Sequence, residues 1–476
     1  MKLYNTASRK IETFKPLGEV VKIYTCGPTV YSNAHIGNLT AYIYWDLLVR
    51  ALRANKYKVK RVLNLTDVGH LVSDGDEGED KLEKGAAREG RTVWEVADSY
   101  IEKFLDDYRS LELSEPEVIA RATDYIDADM QAVDLMTERG FTYETRDGVY
   151  FDTAKFDDYA KFARLDIEGL QAGARVGFSS EKRGVADFAV WKFIQPGEKH
   201  AMRWDYLGRP GYPGWHLECS TIIHETLGEP IDIHTGGIDH IPVHHTNEIA
   251  QSYAAYGHEL ARVWMHCNFI TIDGEKISKS LGNVYLLSDL AERGFTPIDY
   301  KMWVLSGHYQ GARNFTFESL GAAKQRRLNW RNRIAALNQQ DISSGGSCRT
   351  FSSPTSLTLS GGGPSGPSPA RVTPSGHINE ILNAVNDNLN SAEAFAVIDN
   401  SELMLDDWRM VDELFGLRLI EDSPDAPDGV YELLRERDRM RAEKNYQRSD
   451  ELRDLLLEKG YTVKDTPEGA IWQYAE

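Results

Sequence analysis

"KIYTCGPTVYSNAHIGN" (residues 22–38) is where an apolar, alternating run meets a Gly-Pro turn and then a helix start. Residues 20–26 alternate as a strand does, side chains falling by turns on two faces. After "HIGN" (35–38), Leu39, Ile43, Leu47 and Ala51 recur four apart, which predicts a helix over 37–54 with one apolar face. "VKRVLNLTD" (59–67) predicts the next strand. Strand, helix and strand in that order predict a parallel sheet with helices packed on it. Cys26 admits two readings. It is a buried core thiol, or it is a ligand beside a helix start that holds phosphate.

Outward from this unit, residues 92–112 and 117–139 have helical spacing. The region 141–214 changes character, with aromatics, short strands and turns, and reads as an insertion between two halves of an α/β domain. The second half resumes at "PGWHLECSTIIHETLG" (213–228) and continues through the short strand "IDIHTGG" (231–237) to "VWMHCNFITID" (263–273). From 311 the pattern is mainly helical, broken at 343–376. Ser, Gly and Pro make up 22 of those 34 residues, with no Asp or Glu. That composition builds no core and reads as a flexible linker. Its lack of acid in so acidic a chain suggests a recent insertion or a frame-shifted stretch of coding sequence. Helices resume at 378–398, and the chain ends in a small basic helical unit and a short tail (460–473).

A chain of 476 residues exceeds one core, so two to four domains are expected. With 41% hydrophobic and 27% charged residues, the composition is that of a globular protein. No apolar run is long enough to span a bilayer, and the N-terminus lacks a signal-peptide core, so a cytoplasmic location is expected. The four cysteines, Cys26, Cys219, Cys267 and Cys348, are too few and too scattered for a disulfide framework. The net charge of −19 argues against sequence-blind nucleic-acid binding but not against a local basic face. "KQRRLNWRNR" (324–333) and "RERDRMRAEKNYQR" (435–448) are locally basic.

Two motifs point to phosphate chemistry. At "HIGN", a helix beginning after a strand and a tight turn turns its backbone N–H groups toward an anion. His35 and Asn38 donate hydrogen bonds there, and Gly37 lets a ligand lie against the backbone. In "EKISKSLGN" (275–283), Lys276 and Lys279 can neutralise charge on a transferring phosphate. Each motif alone reads as a capped helix or a surface loop. Both together, at opposite ends of one α/β domain, are far more specific. They resemble the signatures of class I aminoacyl-tRNA synthetases, with Asn38 where most families carry a second His. "YTCGPTVY", "NLTDV", "GWHLECS", "DIHTGGID", "HHTNEIAQS" and "EKISKSLGN" follow the order of the cysteinyl-tRNA synthetase family. "RSDELRDLLLEKGYTVKDTPEGAIWQ" (448–473) resembles that family's tail, and only 343–376 stands clearly outside the likeness.

The resemblance implies a Rossmann-type catalytic domain over 1–118 and 215–310 with a connective insertion at 119–214. A helical bundle at 311–420 and a small anticodon-binding region at 421–476 would follow. It implies one zinc ion per chain on Cys26, Cys219, His244 and Glu248; periodicity alone says only that His244 and Glu248 share a helix face. Zinc takes such S, N and O donors, and a soft thiolate binds it far better than a hydroxyl does. The metal would therefore read cysteine against serine. The resemblance also implies Thr66, Trp215 and His234 near the amino acid, and Gly236, Gly237 and Asp239 near the nucleotide. His245 has no assigned role. The implied reaction consumes ATP with Mg2+ and L-cysteine, passes through cysteinyl-adenylate, and charges tRNA(Cys). His35, Asn38, Lys276 and Lys279 would be catalytic, and Trp330, Tyr446 and Trp472, interleaved with arginines, would stack on anticodon bases. A monomer is expected. Two rivals are a ligase that joins cysteine to an amino-sugar and an inactive paralogue that binds tRNA or zinc.

Overall fold

The structure, a computed structural model, describes residues 1–68, 83, 86, 90–165, 181–198, 200–343, 376–466 and 469–475, with the side chains of Lys279 and of 340–343 left outside the description. It divides into two compact units. One comprises Met1–Pro297, Gly307–Thr316 and Val385–Asn390; the other comprises Ile298–Ser306, Phe317–Ala384 and Ser391–Glu476.

In the first unit, a small hairpin of β1 (Lys2–Asn5) and β2 (Lys10–Thr13) precedes the expected β–α–β run. That run is β3 (Val20–Thr25), α1 (Ile36–Ala54) and β4 (Lys58–Leu65). Helix α2 (Val93–Ser110) starts on a capping box in which Thr92 Oγ1 accepts from the Glu95 N–H and the Glu95 carboxylate accepts from the Thr92 N–H. The spacing of 117–139 predicted one helix, and the structure corrects this. Val118–Arg121 forms β5, parallel to β4 with Val62 opposite Val118, and helix α3 begins only at Ile126. The β-branched pair Val118–Ile119 suits a sheet edge. Arg121 Nε donates to Asp67 at 2.7 Å and ties the strand's end to the end of β4. The boundary expected at 118/119 falls inside this strand.

The insertion is a five-stranded antiparallel sheet, in the order β6 (Thr142–Glu144), β7 (Gly148–Phe151), β8 (Phe188–Phe193), β10 (Arg209–Pro213), β9 (Trp204–Tyr206). Phe151 stacks on Phe188 at 5.1 Å over a core that buries Trp191. The chain then returns through α4 (Trp215–Leu227), β11 (Ile231–Gly237), α5 (His244–Tyr256) and β12 (Ala261–Cys267). The parallel sheet has the order β12-β11-β3-β4-β5. Its order reverses between β3 and β11, and such a switch point leaves a crevice at the strands' carboxyl ends.

The second unit is mainly helical. Helix Phe317–Ser343 carries the basic run 324–333, and helices Ser391–Asn400 and Leu405–Phe415 are among those that follow it. The run does not form a phosphate-holding face. Arg326 pairs with Asp399 at 3.1 Å, Arg327 pairs with Asp299 and Asp422, Arg331 donates to the Asp422 carbonyl, and Arg333 donates to the Ile398 carbonyl. Trp330 is core, packed on Phe395 and Trp408, so it cannot stack on a base. Trp472 is buried as well. The expected short tail is a hairpin, Tyr461–Thr466 with Gly469–Tyr474, beside helices Asp428–Ala442 and Tyr446–Glu458. Residues 344–375, including Cys348, lie outside the described residues, and so does the reading of that segment as a linker. No described helix is long and apolar enough to cross a membrane.

Glu229 follows α4 and accepts from Ser252 Oγ of α5 at 3.1 Å. Its other oxygen is buried without a hydrogen-bond partner among the described residues. Burial pushes this carboxyl from its ordinary 4.5 up to about 8. The folded state therefore holds the proton more tightly than the unfolded chain does. Stability declines as pH rises above about 4.5 and levels off above about 8. Glu229→Gln is expected to match the parent near pH 4.5 and to exceed it by about 1–3 kcal/mol at pH 8.5, read by urea unfolding at both pH values.

Candidate metal centre and substrate cavity

Four elements converge on the crevice. Cys26 lies one residue past β3, and its N–H still donates to Thr235 of β11 at 3.1 Å. Cys219 sits in the first turns of α4. His244 opens α5, and Glu248 follows one turn later on the same face. The donor atoms of Cys26, Cys219, His244 and Glu248 all lie within 4.8 Å of one another, and all four residues are buried. Two thiols, an imidazole and a carboxylate are a donor set that fits a tetrahedral zinc ion.

A second set, Cys26, His234, His245 and Glu248, meets the same spacing. The surroundings separate the two. A cavity of about 660 Å³ is bordered by Cys26, Cys219 and His244 of the first set, but only by Cys26 of the second. His234 and His245 stand behind the donors as support. Glu248 accepts from His234 Nε2 at 2.7 Å on one oxygen and from His244 Nε2 at 2.8 Å on the other. Burial opposes the Glu248 charge, but these two imidazoles hold its carboxyl well below the usual range. Burial likewise depresses His244, and the Glu248 and Cys219 charges override it to hold His244 up to about 10. His244 Nδ1 lies 2.8 Å from His216 Nδ1, within hydrogen-bond distance. Cys219 is held below the usual thiol range, first by its hydrogen bond from Cys26 and then by His244, against burial. Cys26 is pushed up by burial. His245 Nδ1 is 2.7 Å from His266 Nε2, and His266 Nδ1 is 2.8 Å from Thr6 Oγ1. Burial and neighbouring imidazoles keep both rings neutral.

The expected substrate residues divide. Thr66 and Trp215 border the cavity, Trp215 with its ring stacked on His244 at 4.8 Å. Thr66 Oγ1 accepts from Asn64 Nδ2 at 3.0 Å. His234, expected near the amino acid, is fully buried and does not border the cavity: one ring face stacks on Trp264 at 4.5 Å and Nε2 is bonded to Glu248. Gly236, Gly237 and Asp239 do border it, and the glycines also make room for neighbouring side chains. A Cβ on Gly236 would stand 2.7 Å from His240 Nδ1 and 2.7 Å from His245 Cε1. One on Gly237 would stand 2.3 Å from Asp239 Oδ1. The strand end is thinned there to seat neighbouring side chains.

His35, which also borders the cavity, caps α1. Its Nδ1 accepts from the Asn38 N–H at 3.2 Å, and Asn38 Oδ1 accepts from the His35 N–H at 3.1 Å. Asn38 thus closes a reciprocal cap. Gly37 leaves room for Ile277, whose Cδ1 is 2.6 Å from where a Cβ would stand. The "KISKS" loop therefore lies against the helix start, and the Ile36 N–H donates to the Tyr285 carbonyl at 2.9 Å. Lys276 borders the cavity, while the side chain of Lys279 lies outside the described residues. Asn283 clamps the loop: its Oδ1 accepts from the Ser278 N–H at 2.8 Å and its Nδ2 donates to the Lys276 carbonyl at 3.1 Å. Sequence reasoning missed Asn283, His216, His240 and His266. Their proximity to the motifs was a signal, but nothing local told a clamp from a loop residue.

Residues 13–325 match the family of class I tRNA synthetase (C) catalytic domains, and residues 423–472 match the cysteinyl-tRNA ligase anticodon binding domain. Cysteine--tRNA ligase 1 of Burkholderia lata is 43% identical over 98% of this chain and 95% of its own length. Cysteine--tRNA ligase of Treponema denticola is 36% identical over 99% of each. A methionyl-tRNA synthetase of Mycobacterium tuberculosis has the same fold at a TM-score of 0.57 and 15% identity, over 84% of this chain and 89% of that one.

Gly27 separates Cys26 from Pro28 and lies so close to β4 that a Cβ would stand 1.6 Å from the Asn64 carbonyl oxygen. A backbone atom cannot rotate away. Gly27→Ala is expected to destabilise the protein by about 2 kcal/mol or more, measured as a lowered urea midpoint; an unchanged midpoint would contradict this close approach.

Proposed function

The chain belongs to the cysteinyl-tRNA ligase family of class I aminoacyl-tRNA synthetases, and we propose that it attaches L-cysteine to tRNA(Cys) at the expense of ATP. The observation that carries this reading is that one cavity joins two chemistries. Two thiols and an imidazole border it, and so do the capped start of α1 and Lys276. A substrate with a thiol and a carboxylate can span them and present its carboxylate to a nucleotide phosphate.

Zinc held by Cys26, Cys219, His244 and Glu248 would supply a soft Lewis acid that takes a cysteine sulfur in preference to a serine hydroxyl. His234, His216 and His245 keep those donors oriented through the hydrogen bonds on their far sides. Trp215, stacked on His244, covers the side-chain pocket, and Thr66 forms part of its wall. In the first step the cysteine carboxylate attacks the α-phosphate of Mg·ATP, giving cysteinyl-adenylate and pyrophosphate. His35 and Asn38 at the start of α1 stabilise the growing phosphate charge, together with Lys276 and Lys279. In the second step the 2′-hydroxyl of the terminal adenosine of tRNA attacks the carbonyl carbon of the mixed anhydride, forming the cysteinyl ester and releasing AMP. Positioning and fixed charge carry the rate, and no protein nucleophile is required.

In domain terms, the segment through β5 together with 215–310 forms the catalytic body, the stretch from there to 214 the connective insertion, 311–420 a helical bundle and 421–476 the anticodon-binding region. Arg435, Arg439, Lys444 and Tyr446 are exposed there. They are the groups available to phosphates and to an unstacked base. With Trp330 and Trp472 buried, Tyr446 is the aromatic of the three that can stack.

Three measurements test the reading. ATP–pyrophosphate exchange is expected to depend on cysteine and not on serine, and Lys276→Ala is expected to lower its kcat about a hundredfold. Zinc content near one per chain is expected to fall to background in Cys219→Ala. A cobalt-loaded sample is expected to gain a sulfur-to-metal charge-transfer band with cysteine and none with serine. Exchange without a cysteine requirement, or unchanged metal content in the variant, would overturn the assignment.

A further inference from the structure

Most imidazoles packed around the donor set are committed to protein hydrogen bonds. His234 is bonded to Glu248, His245 to His266, and His216 to His244. His240 is different. It borders the cavity, and among the described residues neither ring nitrogen has a hydrogen-bond partner. Its ring is nonetheless firmly seated. It meets the His244 ring at 5.1 Å and 62°, and the His245 ring at 5.1 Å and 71°. The missing Cβ of Gly236 makes the room that its Nδ1 occupies. A polar ring placed this way without a partner is unfavourable unless a ligand completes it.

We propose that His240 is a substrate-contacting residue, whose imidazole accepts a hydrogen bond from the α-ammonium group of the amino-acid substrate. This rests on the ligase reading above. Cysteine has three polar ends, and two are already spoken for. The sulfur goes to the Cys26, Cys219 and His244 end. The carboxylate must reach the phosphate site at His35 and Asn38. The ammonium group, one bond from the same α-carbon, is left beside the metal-donor end of the cavity, where His240 stands. An imidazole lone pair suits an ammonium donor. It adds no second negative charge next to the carboxylate that has to react.

The contrast between cysteine and 3-mercaptopropionate, which has the thiol and the carboxylate but no amino group, tests this. Calorimetric titration of the zinc-loaded full chain reads both affinities without requiring turnover. His240→Leu is expected to weaken cysteine binding about tenfold or more and to leave 3-mercaptopropionate binding unchanged. His240→Gln, which keeps an acceptor, is expected to recover part of the loss. Zinc content and the KM for ATP in exchange should stay at parental values. Equal weakening of both ligands, unchanged cysteine affinity in both variants, or loss of zinc would overturn the proposal. A parent chain that binds cysteine but catalyses no exchange would instead count against the ligase reading, and the two-ligand contrast would still decide the role of His240.

Discussion

One buried carboxylate sets the terms for the site. Glu248 sits where charge is costly, and it stays ionised because imidazole N–H groups meet both of its oxygens. That arrangement fixes the ring of His244, which in turn faces Cys219 and stacks under Trp215. Removing either imidazole would leave a buried charge short of a partner, a loss of about 3–5 kcal/mol for such pairs. The four side chains are thus held together by the fold, through a second layer of histidines.

The parallel sheet makes this convergence possible. Its strand order reverses between β3 and β11, so loops and helices from both sides open over one crevice. Cys26 rides on the end of β3, while the first turns of α4 and α5 bring in the other three donors. Glycines at the strand ends permit the crowding. Gly27 lets β3 approach β4, and Gly236 admits two imidazole rings beside β11. The "HIGN" cap and the "KISKS" loop are joined in the same manner, with Ile277 filling the space that Gly37 leaves.

The second unit uses its charges differently. The arginines of 324–333 are turned inward to carboxylates and helix-end carbonyls, and they act as internal ties. In the helix Asp428–Ala442, Arg437 and Arg441 are held by Asp465, but Arg435 and Arg439 remain exposed. Two basic runs of similar composition therefore differ: the first is spent on internal ties, while the second keeps part of its charge exposed. What separates them is the presence of partners on packed neighbouring elements, which composition does not report.

Local periodicity alone was enough to read the β–α–β start, the helix after "HIGN", the strand 231–237 and the sheet-rich insertion, because alternation and four-residue spacing reflect burial on one face. It misread 117–139, where a strand runs straight into a helix and the helical spacing masks the join. The motif residues Cys26, Cys219, His244 and Glu248 could be named from family likeness. Their sequence separations carry no distance, so only the packed sheet brings their donor atoms within 4.8 Å and shows which of two overlapping sets borders the cavity. The burial of Trp330, the support role of His234 and the seat of His240 were likewise decided by tertiary structure. Each depends on what a neighbouring element presents across the gap, and a one-dimensional pattern holds no record of that.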